Sequence, residues 1–156
     1  MSAWSFGRYI GYIHRRFRRF MDSRMGETGL TVEQMIFLAN VGSLPGSRQD
    51  DIAAEMALDK GGAARGAHVL EEMGLIRREV DPEDRRCYML WITERGAALR
   101  EEVLAALQAW RDILTDGMTE AEREQTEKAL ALLRDNAERS GGEKRRAGAS
   151  EKQKHR

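Results

Sequence analysis

The sequence predicts a mainly α fold with a small β wing, a winged helix-turn-helix domain flanked by helices on both sides. Three observations carry that expectation. Through the middle of the chain the local signals run helix, turn, helix, strand, loop, strand, which is the order of a winged helix-turn-helix. Long amphipathic periodicities stand before and after this block. Residues with helix-capping chemistry sit where those periodicities begin.

Taken in order, Phe6, Tyr9, Ile10, Ile13, Phe17, Phe20 and Met21 recur at steps of three and four. They predict an amphipathic helix over roughly residues 4–24, with Arg15, Arg16, Arg18 and Arg19 between its apolar positions. "GETG" breaks it. Thr31, with Gln34 three residues on, forms a capping box for a second helix that runs to about Val41. Beyond the turn cluster "GSLPGS", Ser47 is expected to cap a short helix, "RQDDIAAEMA", whose Ile52, Ala53 and Met56 face inward. Asp59 caps the next helix and Gly74 ends it, where a left-handed residue is wanted. "LIRREV" and "CYMLWIT" are β-prone runs separated by "DPEDRR", expected to be a tight, solvated loop. Thr93 and Glu94 open a long helix to about residue 115 that carries Leu99, Val103, Leu107, Trp110 and Leu114. After "TDGM", a capping box of Thr119 and Glu122 starts a last helix, ending near Arg139. The remaining "SGGEKRRAGASEKQKHR" has no periodicity and no apolar anchor, so residues 140–156 are expected to be a disordered basic tail. The segments are thus an N-terminal helix in 1–28, a winged domain in 29–96 with its second helix at 59–73 and its wing at 75–92, C-terminal helices in 97–139, and the tail.

Composition narrows the function. Cys87 is the only cysteine, no run is long enough to span a bilayer, and the start lacks a compact apolar signal core, so a cytoplasmic protein without membrane attachment is expected. Lys and Arg total 26, as do Asp and Glu, so net charge gives no hint of an acidic partner. Distribution says more. Residues 1–28 hold six Arg against Asp22 and Glu27, net +4, whereas residues 46–86 hold seven basic and ten acidic residues, net −3. Any anion-binding surface must therefore come from a few placed cations. His14, His68 and His155 are far apart and offer no metal-ligand cluster, and no cofactor is expected. No nucleophile–base pair or phosphate loop stands out. Glu71-Glu72 and Glu101-Glu102 are adjacent on helices, where side chains diverge, so the chain does not read as an enzyme.

The helix over 59–73 is unusual. Gly61, Gly62 and Gly66 each cost up to ~1 kcal/mol against alanine in a helix interior. On a helical wheel Ala63, Ala67 and Leu70 gather on the core side, and Gly61, Arg65 and His68 lie opposite.

The stretch from Leu58 to Gly96 combines Leu-Asp-Lys-Gly, an Arg five residues after the Lys, Leu-Glu at the helix end and Gly-Leu-Ile. An Asp-Pro-Glu-Asp-Arg-Arg wing and a Thr-Glu-Arg-Gly close follow. This pattern resembles the signature region of the MarR family of bacterial and archaeal transcription regulators, and the resemblance covers about residues 4–139. It implies an obligate homodimer, built from the N- and C-terminal helices of both chains, that binds a palindromic operator in double-stranded DNA. A repressor is the expected sign, and many members release DNA when a small aromatic effector fills a cleft between the dimer region and the winged domain.

On that fold the helix at 59–73 meets the major groove. Arg65 can pair bidentately with guanine O6 and N7 or hold a phosphate, and Lys60, with Gly61 and Gly62, occupies the first turn, where a helix favours phosphate. His68 is a reader or an idle surface histidine. Ser47, Arg48 and Gln49 are expected to add DNA-backbone contacts. Relatives often have Ser-Gln here, whereas this chain has Arg48 before Gln49. In the wing, resemblance makes Arg86 the candidate for the minor groove, with Asp84 as its brace and Arg85 beside it. Alternatively, Arg85 and Arg86 merely balance Asp81, Glu83 and Asp84 on an exposed loop.

Other readings stay open at this level. Cys87 packs in a strand or senses oxidants. Trp4, Phe6, Tyr9, Phe17 and Trp110 form dimer core or line a ligand cleft. The tail adds DNA affinity or is inert. The thinned helix and the local net −3 also suit a dimeric ligand- or protein-binding module of the same fold that has lost operator binding.

Overall fold

The computed structural model describes the backbone of residues 2–153 and the side chains of residue 2 and residues 4–140. These residues fall into two units, Met1–Leu114 and Thr115–Arg156.

In the first unit, α1 (Ala3–Met25) starts at Ser2, whose hydroxyl accepts the Ser5 amide, and ends in a 3-10 turn at Gly26–Thr28. Helix α2 (Val32–Ser43) opens on the predicted capping box, with the Gln34 amide donating to Thr31 Oγ1 at 3.2 Å and the Thr31 amide to Gln34 Oε1 at 2.8 Å. Helices α3 (Gln49–Glu55) and α4 (Lys60–Glu72) follow, then β2 (Ile76–Val80), β3 (Tyr88–Ile92) and α5 (Glu94–Leu114). Ahead of α3 a two-residue strand, β1 (Ser47–Arg48), pairs antiparallel with β3, giving a three-stranded sheet in the order β1-β3-β2. The mainly α winged-helix expectation is met.

Strand β1 overturns one expectation. Ser47 does not cap α3. Its hydroxyl turns back to donate to the Leu44 carbonyl at 2.6 Å, and Arg48 occupies the cap position without a capping side-chain bond. The reason is non-local: residues 47 and 48 are extended because they pair with Leu90 and Met89, and two residues are too few to show a strand period.

One core holds the first unit together. Met21 from α1, Met35, Phe37, Leu38 and Val41 from α2, Ile52 from α3, Leu70 from α4, Leu75, Leu90 and Val103 are fully buried. Ala63, Ala67 and Leu70, the predicted inner face of α4, are all buried. A left-handed turn at Gly74 and a close approach at Gly96 bracket the wing. Gly74, at φ +70°, closes α4, its amide reaching the Glu71 carbonyl and the Leu75 amide reaching Leu70. Thr93 then locks the start of α5 to that point. Its hydroxyl donates to the Gly74 carbonyl at 2.7 Å and accepts the Gly96 amide at 3.0 Å. A Cβ on Gly96 would lie 1.9 Å from the Leu75 carbonyl oxygen, so only glycine lets α5 begin there.

Helix α5 packs on α1 and α2. Arg100 donates to the Ala39 carbonyl at 3.1 Å and to the Ser43 hydroxyl at 2.9 Å, and its stem lies where a Cβ of Gly42 would be. The aromatic set splits. Phe17 and Phe20 pack on Trp110 with ring centroids 5.8 and 5.3 Å apart, while Trp4, Phe6 and Tyr9 stand exposed on α1.

In the second unit, α6 (Glu120–Gln153) opens on the predicted capping box, with Glu122 accepting from the Thr119 amide at 2.8 Å. Its backbone stays helical to Gln153, past the expected end near Arg139, where a disordered tail was predicted. Eight of the fourteen residues from 140 to 153 are Glu, Lys, Arg or Ala, all good helix formers. The last part of the expected tail, residues 154–156, lies outside the described residues.

Candidate nucleic-acid interface

Helix α4 starts because Asp59 accepts the Gly62 amide at 2.5 Å. With its alanines buried, the helix turns Lys60, Gly61, Arg65 and His68 to the surface. Arg65 explains part of the glycine pattern. A Cβ on Gly61 would meet Arg65 Nη1 at 3.1 Å, and one on Gly62 would meet Nη2 at 3.9 Å and the capping Asp59 Oδ1 at 3.0 Å. The guanidinium therefore lies back over the bare first turn, in space that two side chains would otherwise fill. Gly66 differs: a Cβ there would make ordinary contact with Phe37 at 3.8 Å.

Several cations of this surface hold a carboxylate. Lys60 Nζ donates to Asp50 Oδ2 at 2.8 Å, which raises the lysine pKa above its ordinary value, with small additions from Cys87 and Asp84. His68 Nε2 lies 3.4 Å from Glu72 Oε1. Glu72 thus turns outward while Glu71 turns to the wing and is bonded by Arg78, as the divergence of adjacent helix positions predicts. That Arg78 bond holds the Glu71 pKa below the usual glutamate value. Arg65 and Arg85 have no charged partner among the described residues.

The wing is organised around an acid that was expected to be solvated. Asp81 is the one buried polar residue among those described, its side chain 4% exposed. Its Oδ1 accepts the Glu83 amide at 2.8 Å and its Oδ2 accepts Arg48 Nε at 2.6 Å. The Glu83 amide foremost, then Arg48, holds the Asp81 pKa below the ordinary aspartate value. Arg48 is thereby drawn away from the role of a free backbone contact, its Nη2 also reaching Glu83 at 3.4 Å. Asp84 accepts the Arg86 amide at 3.1 Å and Arg86 Nε at 3.4 Å, and the Arg86 side chain is 92% exposed. Arg85 is exposed beside it. Gln49 is half-buried, and its amide oxygen accepts no hydrogen bond among the described residues. Burial pushes the Cys87 thiol pKa up, with Asp84 adding to the effect, the opposite of a reactive thiolate.

The exposed face of α4 and the wing tip lie where the sequence predicts them. The pairs Arg48–Asp81, Lys60–Asp50 and Arg78–Glu71 have no local spacing that marks them. A separate cleft of about 400 Å³, lined in part by His14, Phe17, Ile36, Asn40 and Met56, lies between α1, α2 and the end of α3.

Known proteins share this fold. Residues 28–86 match the profile described as the MarR family. A crystal structure of MarR is 35% identical, covers 92% of this chain and 95% of its own, and superposes with a TM-score of 0.76. The chain belongs to the MarR family. A curated helix-turn-helix transcriptional regulator, BilQ of Clostridium symbiosum, is 27% identical over 121 residues, 78% of this chain and 84% of BilQ. A MarR-family regulator of Listeria monocytogenes solved with a 26mer DNA is 25% identical, with a TM-score of 0.80 over 85% of this chain and 89% of its own. As a MarR-family chain this is a transcriptional regulator, and none of its described helices is long and apolar enough to cross a membrane.

Proposed function

We propose that this regulator acts in the cytoplasm as a homodimer that binds a palindromic operator in duplex DNA and represses transcription. The observation that carries the reading is the pairing of an unencumbered Arg65 on the exposed face of α4 with a braced, 92% exposed Arg86 at the wing tip. In this reading α4 enters the major groove, with Arg65 on guanine and Lys60 and the bare first turn near phosphate. Ser47 and Gln49 approach the DNA backbone, and Arg86, with Arg85 beside it, enters a narrow minor groove. His68 reads a base only by leaving Glu72. Exposed Phe6, Ile10 and Ile13 along one side of α1 supply apolar surface for a second copy. A small aromatic effector is assigned to the cleft at Phe17 and Ile36, where occupancy would bear on α1 and α2 together.

Selection of bound sequences from random duplex DNA tests this. The expected result is an inverted repeat whose half-site spacing reports the dimer. Absence of any enriched motif at low salt would sink the reading. The ion pairs Lys60–Asp50 and Arg48–Asp81 favour a second reading, a dimeric ligand- or protein-binding module that no longer binds an operator. Salt separates the two, because log K for a true operator complex falls with a slope of about −0.9 per phosphate neutralised.

A further inference from the structure

Arg48 and Asp81 are 33 positions apart, yet among the described residues they form the one ion pair whose acid is buried. Arg48 begins α3 and belongs to β1, so its backbone is already part of the helix-turn-helix. Asp81 follows β2 and turns the wing loop, with Oδ1 on the Glu83 amide. The next bonds run to the tip: the Asp81 amide donates to the Cys87 carbonyl at 3.0 Å and the Cys87 amide to the Asp84 carbonyl at 2.8 Å. Asp84 then holds Arg86 through both backbone and side chain. A continuous set of hydrogen bonds thus leads from the first residues of the helix-turn-helix to the exposed arginine of the wing. A guanidinium at position 48 reaches that loop, whereas a serine hydroxyl would be too short.

Resting on the DNA-binding reading above, we propose that Arg48 is a positioning residue for the wing rather than a DNA contact. It couples the angle of the minor-groove arginine to the helices that read the major groove. A carboxylate buried at the loop base and clamped from the facing element keeps Arg86 at one distance from α4. The half-site is then read as a unit of fixed spacing. The same carboxylate neutralises Arg48, so the residue adds no phosphate contact of its own.

The full chain and three variants, Arg48→Ser, Asp81→Asn and both together, test the proposal by two readouts. Without DNA, amide exchange at Glu83 and Cys87 should accelerate in Arg48→Ser while α4 stays protected. With DNA, Arg48→Ser should lose about 5- to 100-fold in operator affinity, the span of one specific contact. It should also lose base preference at the outer, wing-facing positions, keep the inner half-site motif and leave the salt slope unchanged. Asp81→Asn, which retains an oxygen for the Glu83 amide, should bind more weakly, and the double variant no more weakly than the weaker single one. If Asp81→Asn instead binds more tightly, or Arg48→Ser flattens the salt slope by about 0.9 with exchange unaltered, Arg48 is a phosphate contact and the proposal fails. Unchanged exchange, affinity and outer preference in Arg48→Ser would overturn it too. Should the unmodified chain select no DNA, the DNA-binding reading fails, and the exchange data alone decide whether Arg48 holds the loop.

Discussion

Helix α4 and the wing are consecutive in the chain and are both proposed to meet DNA, but they are built in opposite ways. The outer side of α4 is thin around Arg65, whose guanidinium rests on the first turn left empty by Gly61 and Gly62, and its few other cations, Lys60 and His68, face Asp50 and Glu72. The wing is laced with side-chain bonds: Arg48 to Asp81, Arg78 to Glu71, Arg77 to Glu79 and Arg86 to Asp84. An α-helix satisfies its own backbone and needs only an inner face to orient it, which Ala63, Ala67 and Leu70 supply. A short β-ribbon is marginal by itself and must be tied at its base and its loop. A reading helix can therefore shed side chains, while a reading loop has to acquire them.

Variants can break this contrast, beginning with the largest effect. At the wing base, Gly96→Ala should cost about 3 kcal/mol in urea unfolding, since the added Cβ meets a backbone carbonyl that cannot step aside. A loss below about 1 kcal/mol would show that the base is not held there. At the wing tip, Arg86→Ala should weaken operator affinity by about 1–3 kcal/mol by fluorescence anisotropy, with fold and dimer intact. Equal affinity would remove Arg86 from the interface. On α4, Arg65→Ala should relax discrimination by about 1–3 kcal/mol at a single position per half-site. An unaltered selected motif would make Arg65 a phosphate clamp. Acid should reveal the tie between the two regions. The Glu71 pKa is lowered by Arg78, so its contribution is fully present above the ordinary glutamate range and lost as pH falls through the lowered value. Thermal unfolding should then fall more on acidification in the parent than in Glu71→Gln, and parallel curves would contradict that. Smallest of all, Gly66→Ala should stabilise the chain by up to ~1 kcal/mol without changing DNA affinity, because the new methyl only touches Phe37. Weaker DNA binding in that variant would mean the helix needs the bare flank for close approach.

Much of the fold was legible in advance because its signals are local. The capping boxes at Thr31 and Thr119, the Asp59 cap and the Gly74 stop are formed as their spacing predicts. The inner face of α4 follows from period alone. Within the candidate site, Arg65, Lys60, His68, Arg85 and Arg86 were legible as surface residues of a helix and a loop tip. Ser47 reads as a cap and Asp81 as a solvated acid in the sequence, because β1 exists only through β3, and the Arg48 that bonds Asp81 lies 33 positions away.

By itself, then, the sequence determined most of the helices, both wing strands and the inward side of α4, since caps, turns and periodicities act within a few residues of one another, while β1 and the far end of α6 escaped it. Only the tertiary structure decided which charges are spent inside the protein and which remain to meet a partner. Arg48, Lys60 and Arg78 look no different from Arg65 in the sequence, and each finds its carboxylate on another element. Coulomb energy depends on distance through space, and distance along the chain does not report it.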